Sequence, residues 1–401
     1  MIRAPLRAPG MLAMLLLLAA CAQAPAPPFT HEAYVWQRQW SAPLAAALGE
    51  ARDDFAAWRV LVLQSRADGG LDAIAIDREA LRAAGRPVVA VARLAGAYPE
   101  APPTTLAPRL AAIAAALEAD GIAVAGLEVD HDCATNRLAG YARWLGELRR
   151  ALPPGRRLSI TALPAWLDGA GLADVLDQTD EAVLQVHAVR QPGEGLFAAA
   201  AAEHWIRDFA RRTTHPFRIA LPAYGARVGF AADGRATGVE SEMPREVGGV
   251  RAEELRVAPI EVVRLLDALA HDRPPHLAGA VWFRLPLAGD RRAWSLTTLR
   301  AVLHGEPLAA RWAVRREETA GGAVDLLIAN TGNLDAPPPA LHVVATGCLA
   351  ADALAGYRAE PSSGRWLLVA EADVWIQAGR SRRVAWLRCE SMEKVEIDAS
   401  P

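Results

Sequence analysis

The chain has 401 residues, 52% of them hydrophobic and 22% charged, with 43 basic against 46 acidic side chains and a net charge of -3. That is the composition of a globular protein, long enough for a barrel with an appendage. With no basic run and no excess of positive charge, it excludes nucleic acid as a partner on electrostatic grounds.

The first segment, "MIRAPLRAPG", has two arginines and no acid, and "MLAMLLLLAA" follows as a short apolar run. A charged start, an apolar core and small residues before a cut describe a secretory signal peptide over residues 1–20. The run is about half of the ~20 residues that span a bilayer. "LAAC", Leu18 to Cys21, resembles the lipobox of bacterial lipoproteins, which implies that Cys21 carries lipid. Residues 21–31 then read as a Pro-rich tether. Ala22 stands where an inner-membrane retention signal has Asp, so the expected location is the outer membrane, facing the periplasm, with membrane contact through the lipid only. Export permits disulfides, and Cys348 with Cys389 is the expected pair, worth about 4 kcal/mol for a loop of that length. Cys133 is expected to be a buried, inert thiol.

From residue 32 to about 305 one rhythm repeats: a short apolar strand, a loop, a helical pattern. Strands are expected at 32–40, 59–65, 87–94, 125–132, 157–164, 181–188, 217–225 and 279–286, rich in Val, Ile and Leu as parallel strands covered on both faces should be. Helices lie between them; Leu106, Leu110, Ile113 and Leu117 share one face, as do Tyr141, Leu145, Leu148 and Leu152. Eight such units predict an α/β fold, a (β/α)8 TIM barrel. A doubly wound open sheet is the alternative, but no Gly-rich phosphate turn follows the first strand.

After residue 311 the pattern changes to short alternating runs, "AVDLLIAN", "LHVVATG", "RWLLVA", "VWIQAG" and "RRVAWLRC", broken by Gly and Pro. They predict a small antiparallel β-sandwich over 311–401, an accessory domain packed on the barrel.

The fourth strand reads "AGLEVDHD", placing Glu128, Asp130 and Asp132 at every second position. Facing outwards they would be pressed into the apolar helix layer, where ionised carboxylates are heavily penalised. All three are therefore expected to point inwards and to rise towards the C-terminal mouth. Polar and aromatic residues at other strand ends converge on the same mouth: Trp36, Gln64, Arg93, Gln185, His187, Tyr224, Trp282 and Arg284. Acids with aromatic walls and one or two arginines suit a sugar, so a polysaccharide or oligosaccharide is the expected partner. No cofactor is expected.

"AGLEVDHD" is similar to the fourth-strand acid ladder DGxDxDxE of family 18 glycoside hydrolases, the chitinases and their relatives. "IALPAYGARVGF" resembles that family's seventh-strand segment, and "GAVWFRLP" ends in a Trp as its eighth strand does. Over about residues 32–305 the chain more closely resembles the bacterial lipoprotein family named domain of unknown function 3142, through the lipobox, "DHDC", "LSITALPAWL" and "VLQVHA". The chitinase resemblance implies Asp132 as general acid, Asp130 as its neighbour and Glu128 as the inner acid, on a substrate-assisted route. There are three departures. Asp132 is one methylene shorter than Glu, which sets the donor back by about 1.5 Å. Ala125 replaces the first Asp, and Gln185, His187 and Ala188 replace the pair that clamps the acetamido group. Crowding of the acids suggests that Asp132 keeps a proton while Asp130 is ionised, with His187 as a second acid or base.

Three functions fit these residues. The first is a lipid-anchored glycoside hydrolase-like enzyme of the cell envelope, using carboxylate acid/base chemistry. The second is a non-catalytic glycan-binding lipoprotein that kept the barrel. The third is a metal-dependent hydrolase with Asp130, Asp132 and His187 as ligands, although the expected site holds no metal in the first reading.

Overall fold

The computed structural model describes residues 28–397 apart from 67, 97–98, 188–194, 241–245, 320, 363–364 and 372–373. The expected signal peptide, Cys21, most of the tether and Ala188 lie outside the described residues.

Eight parallel strands form the core sheet: β1 (Thr30–Val35), β2 (Trp58–Ser65), β3 (Val88–Leu94), β4 (Val124–His131), β5 (Leu158–Ala162), β6 (Glu181–Gln185), β7 (Phe217–Pro222) and β8 (Leu277–Phe283). Each pairs with its sequence neighbour, and β1 pairs with both β2 and β8, so the sheet closes on itself. Closure rules out the open doubly wound sheet. A helix follows every strand: α1 (Ala42–Glu50), α2 (Arg78–Ala84), α3 (Pro103–Ala119), α4 (Leu138–Ala151), α5 (Leu172–Leu176), α6 (Ala199–Ala210), α7 (Pro259–His271) and α8 (Leu296–Leu303). Local chemistry sets their ends. Asp77 caps α2 by accepting from the Ala80 N–H, and Gly85 closes it at φ 65°, a left-handed conformation that glycine adopts without strain.

The strands end sooner than the apolar runs suggest. β1 stops at Val35 rather than at residue 40, and β7 stops at Pro222. Beyond β7 the chain inserts a three-stranded antiparallel ribbon, Gly225–Phe230, Ala236–Glu240 and Arg251–Arg256, which the sequence did not announce.

Alternation divides the barrel interior by height. At mid-height Tyr34, Leu61, Val91, Val183, Ala220 and Val281 form an apolar plug. Below it, at the N-terminal end, lies a cluster of buried charges. Arg59 pairs with Glu32 at 2.6 Å and makes close ion pairs with Glu128 and Glu181. Arg218 pairs with Glu32 at 2.9 Å and with Glu181 at 3.2 Å. Tyr34 donates to Glu128 at 2.7 Å, and Ser159 donates to it at 3.0 Å. Burial alone would raise the Glu181 carboxyl; Arg59 and Arg218 overcome that and hold it below the usual carboxylate range. Gly279 fits this packing, because a Cβ there would lie 2.5 Å from the Arg218 guanidinium and 2.0 Å from the Thr30 carbonyl.

The C-terminal domain is a sandwich of two four-stranded antiparallel sheets. One is ordered Trp312–Glu318, Val324–Asn330, Ser381–Arg388, Ala350–Ala353, and the other Tyr357–Ser362, Arg365–Ala370, Leu341–Thr346, Ser391–Ile397. They share a core built on Leu326, Ile328, Leu341, Val343, Leu368 and Val384. Cys348 and Cys389 are joined in a disulfide, and Cys133 is buried in the barrel core with its thiol pushed up to about 11 by burial.

One expected strand, 374–379, is absent as such. Val374 and Ile376 pack into the sandwich core, Ile376 making an isolated bridge to Ala336. The rest of the segment clasps the barrel: Gln377 Nε2 donates to the carbonyls of Asp290 and Ala293, and the Ala378 N–H donates to Asp335 at 2.7 Å. Asp335 also accepts from the N–H and the hydroxyl of Ser295, at 2.6 and 2.7 Å, and Ser295 caps α8.

Candidate active site

β4 carries the acids of the mouth. Asp130 is its penultimate residue and Asp132 follows its end. Arg93 lies beside Asp130 on the neighbouring β3, in direct register, and reaches both acids: Nη1 is 2.9 Å from Asp130 Oδ2 and Nη2 is 2.5 Å from Asp132 Oδ2. Thr161 on β5 donates to Asp130 Oδ1 at 2.7 Å. The two carboxylates differ in environment, since Asp130 is 5% exposed and the Asp132 side chain 47%. Burial pushes the Asp130 carboxyl upward, Arg93 opposes this, and the charge of Asp132 adds to it. This upward push on Asp130 runs against the expectation that Asp130 is the ionised acid of the pair.

The opposite side of the mouth comes from β6, β7 and β8. Gln185 donates to the His187 carbonyl at 3.1 Å, and His187 Nδ1 lies 3.4 Å from the Tyr224 hydroxyl. Phe283 sits at the centre of an aromatic group, with its ring 5.4 Å from Trp36, 5.3 Å from Tyr224, 5.8 Å from Tyr34 and 5.8 Å from His187. His187 is 3% exposed, and burial lowers its pKa to about 3. At neutral pH it is a neutral imidazole with little basicity, which corrects its expected role as a second acid or base. Its Nε2 has no hydrogen-bond partner among the described residues.

Of the expected residues, the structure brings Asp130, Asp132 and Arg93 into contact, and groups His187, Tyr224 and Trp36 around Phe283. Gln64, the penultimate residue of β2, is in register with Arg93 and accepts from Arg38 at 2.7 Å. Arg284 is buried and paired with Asp290 at 2.6 Å, at one wall of a cavity that opens beside Trp36.

Two expected residues are elsewhere. Glu128 shares the inward face but belongs to the charged base below the apolar plug, fully buried against Arg59, so the three acids do not form one ladder into the mouth. Trp282 faces outwards, fully buried in the helix layer, where its Nε1 donates to His31 Nδ1 at 3.2 Å and its ring meets Trp294. Inward positions on β8 are Gly279, Val281 and Phe283, so Phe283 holds the place expected of Trp282. Thr161 and Phe283 were missed. The small Gly279, which must face a bulky guanidinium, was the signal that sets the parity of β8.

Among the described residues no group of three His, Cys, Asp or Glu side chains is spaced to hold a metal ion, and Asp130, Asp132 and His187 do not form one. The same residues include no helix long and apolar enough to cross a membrane.

Burial of neutral His187 ties stability to pH. Its folded pKa is depressed, so the unfolded chain takes up a proton below about pH 6.5 and the folded chain does not. Stability from this residue is complete above pH 6.5 and is lost as pH falls towards its folded value of about 3. His31, lowered to about 4 by burial and by Arg218, acts in the same direction. Between pH 6.5 and 5 the His187 contribution amounts to about 2 kcal/mol. Thermal melts across that range are expected to fall for the wild type and to fall less steeply for His187→Phe; parallel curves would disprove the linkage.

The comparisons with known proteins agree with this architecture. A family model described as a domain of unknown function, DUF3142, matches residues 84–288, and another domain of unknown function, DUF8456, matches residues 313–390. No curated protein matches the chain. The spore cortex-lytic enzyme SleL of Bacillus megaterium QM B1551 is similar in structure, with a TM-score of 0.51 and 11% identity over 66% of this chain and 72% of that one. A chitinase from Chromobacterium violaceum ATCC 12472 is similar at a TM-score of 0.48 and 16% identity, over 66% of this chain and 96% of that one. At such identities the likeness is one of fold alone, a TIM barrel. The DUF3142 match takes in β3 to β8 and with them Arg93, Asp130, His187 and Phe283, and the chain belongs to that family.

Proposed function

We propose that the protein is a lipid-anchored glycoside hydrolase-like enzyme of the cell envelope that cleaves a polysaccharide at the barrel mouth. The observation that carries this reading is the contact of Arg93 with two unlike carboxylates, Asp130 buried and Asp132 open. Carboxylates in contrasting environments are the means by which one site supplies both an acid and a base. The raised, buried Asp130 is suited to retain a proton, and in this reading the exposed Asp132 acts on the glycosidic oxygen or on an attacking water. Arg93 holds both and can exchange hydrogen bonds between them as charge moves. Trp36, Tyr224 and Phe283 give the mouth apolar faces for pyranose rings.

Asp132→Asn and Asp130→Asn are each expected to lower release of reducing ends from a susceptible polysaccharide by about 10²–10⁴-fold, the range for loss of a positioned acid or base. Turnover that survives both substitutions would refute carboxylate acid/base chemistry at Asp130 and Asp132, and a wild type without turnover would refute the enzyme. One observation favours the second reading, a non-catalytic glycan-binding protein: the ion pairs to Arg93 hold both acids and so compete with their use as proton donor and acceptor. Under that reading a glycan array gives binding with no turnover in the wild type.

The anchor has its own test. Cys21→Ser is expected to move the protein from the membrane pellet to the soluble fraction. An unchanged distribution would dismiss lipid attachment at Cys21.

A further inference from the structure

The loop between β8 and α8 separates two adjoining cavities. One of about 1010 Å3 lies between the barrel and the sandwich and reaches Tyr224 at the mouth. The other, of about 680 Å3, opens beside Trp36. Ala288, Gly289, Asp290, Arg291 and Arg292 line both.

The charges of the larger cleft divide into those already committed and those that are not. Arg292 is committed to Glu240 and Glu254, Asp290 to Arg284, and Asp335 to the Ser295 and Ala378 groups that it accepts from. Arg291 on the barrel side and Arg380 on the sandwich side line the cleft, exposed, with no side-chain hydrogen bond or ion pair among the described residues. Among the described residues, the Arg382 side chain next to Arg380 makes one bond, to the Ala355 carbonyl, and no ion pair. Against these three guanidiniums stands Glu371. Arg256 adds a fourth cation, held over the Trp375 ring at 5.1 Å. In a chain of net charge -3 this is a local reversal of sign.

We infer that the cleft between barrel and sandwich binds an acidic, carboxylate-bearing polysaccharide and leads it to the mouth, with the sandwich forming one bank of the track. Guanidinium forks on both banks match sugar carboxylates along an extended chain, in a wet cleft where such pairs form at little desolvation cost. A neutral glycan would leave them unused. The inference rests on the glycan reading above and narrows it to a charge class.

Binding of the detergent-solubilised full chain to polygalacturonate and to neutral dextran of matched length tests it, by calorimetry at low and raised salt. Polygalacturonate is expected to bind at least about tenfold more tightly, with the margin shrinking as salt screens the contacts. Arg291→Ala with Arg380→Ala is expected to lower affinity for the acidic probe about tenfold and leave the melting temperature unchanged, and the corresponding Glu pair to abolish binding. Equal affinity for the two probes, or wild-type binding of polygalacturonate by the double variant, would overturn the inference. Dextran that binds more tightly than polygalacturonate, with binding lost in Trp36→Ala, would overturn the charge class alone. Failure of both probes to bind would overturn the glycan reading with it.

Discussion

Arg59→Met is expected to abolish folding of the barrel. Arg59 is the cation shared by three carboxylates of the N-terminal base, and it is the partner that offsets the cost of burying Glu128. Glu32 and Glu181 keep Arg218 when Arg59 is lost; Glu128 keeps two hydroxyl donors and no cation. Breaking a buried pair by removing one partner costs about 3–5 kcal/mol, and a domain has only about 5–15 kcal/mol in total. The variant should accumulate as insoluble protein without a cooperative melt. Adding Glu128→Gln to Arg59→Met removes the stranded charge while keeping groups for Tyr34 and Ser159 to bond, and should restore soluble protein. A single variant that melts within about 1 kcal/mol of the wild type would mean that the base is wet rather than sealed.

Trp282→Ala is expected to destabilise the protein by about 3–5 kcal/mol, the usual cost of emptying a large aromatic site in a packed core. Glycan affinity, measured below the lowered melting temperature, should be unchanged because the ring faces the helix layer between His31 and Trp294. Phe283→Ala should give the converse, with affinity lost at the mouth, where its ring meets Trp36, Tyr224 and His187. Loss of binding in Trp282→Ala at undiminished stability would reverse the assigned faces of β8.

These two residues show what was legible in the sequence. The barrel could be read because parallel strands covered on both faces are continuous apolar runs, and eight of them recur at even spacing. The direction of each side chain could not be read so safely. β2 has an irregularity in register between Leu61 and Leu63, so alternation counted from its start fails at its end. On β8 both Trp282 and Phe283 are large and apolar, and only the space required by Arg218 at Gly279 decides between them. The charged base was hidden for another reason. Glu32, Arg59, Glu181 and Arg218 each stand near the start of a strand, where a single charge reads as an ordinary boundary, and they meet only when the sheet closes. In the sandwich, Trp312–Glu318, Ala350–Ala353, Tyr357–Ser362 and Ser391–Ile397 were overlooked because they are short or rich in polar and exposed residues, while 374–379 looked like a strand because of its alternating apolar residues, two of which are buried without a full ladder. The acids of β4 were visible from their spacing. Their division between a sealed base and an open mouth depends on Arg59 and Arg93, which lie tens of residues away.

The clasp at Asp335 bears on how the molecule comes apart. A carboxylate from the sandwich holds the N-cap residue of the last barrel helix, and one of its oxygens, Oδ1, also accepts from the backbone N–H of Ala378. The seam between the two sequence domains is thus written into the start of α8. Cutting the chain between residues 305 and 311, where the pattern changes, would strip that helix of its support, so the boundary in sequence is not a boundary in cooperativity. Barrel and sandwich are therefore expected to melt as one unit, with an altered linker felt first in the eighth helix rather than in the linker itself.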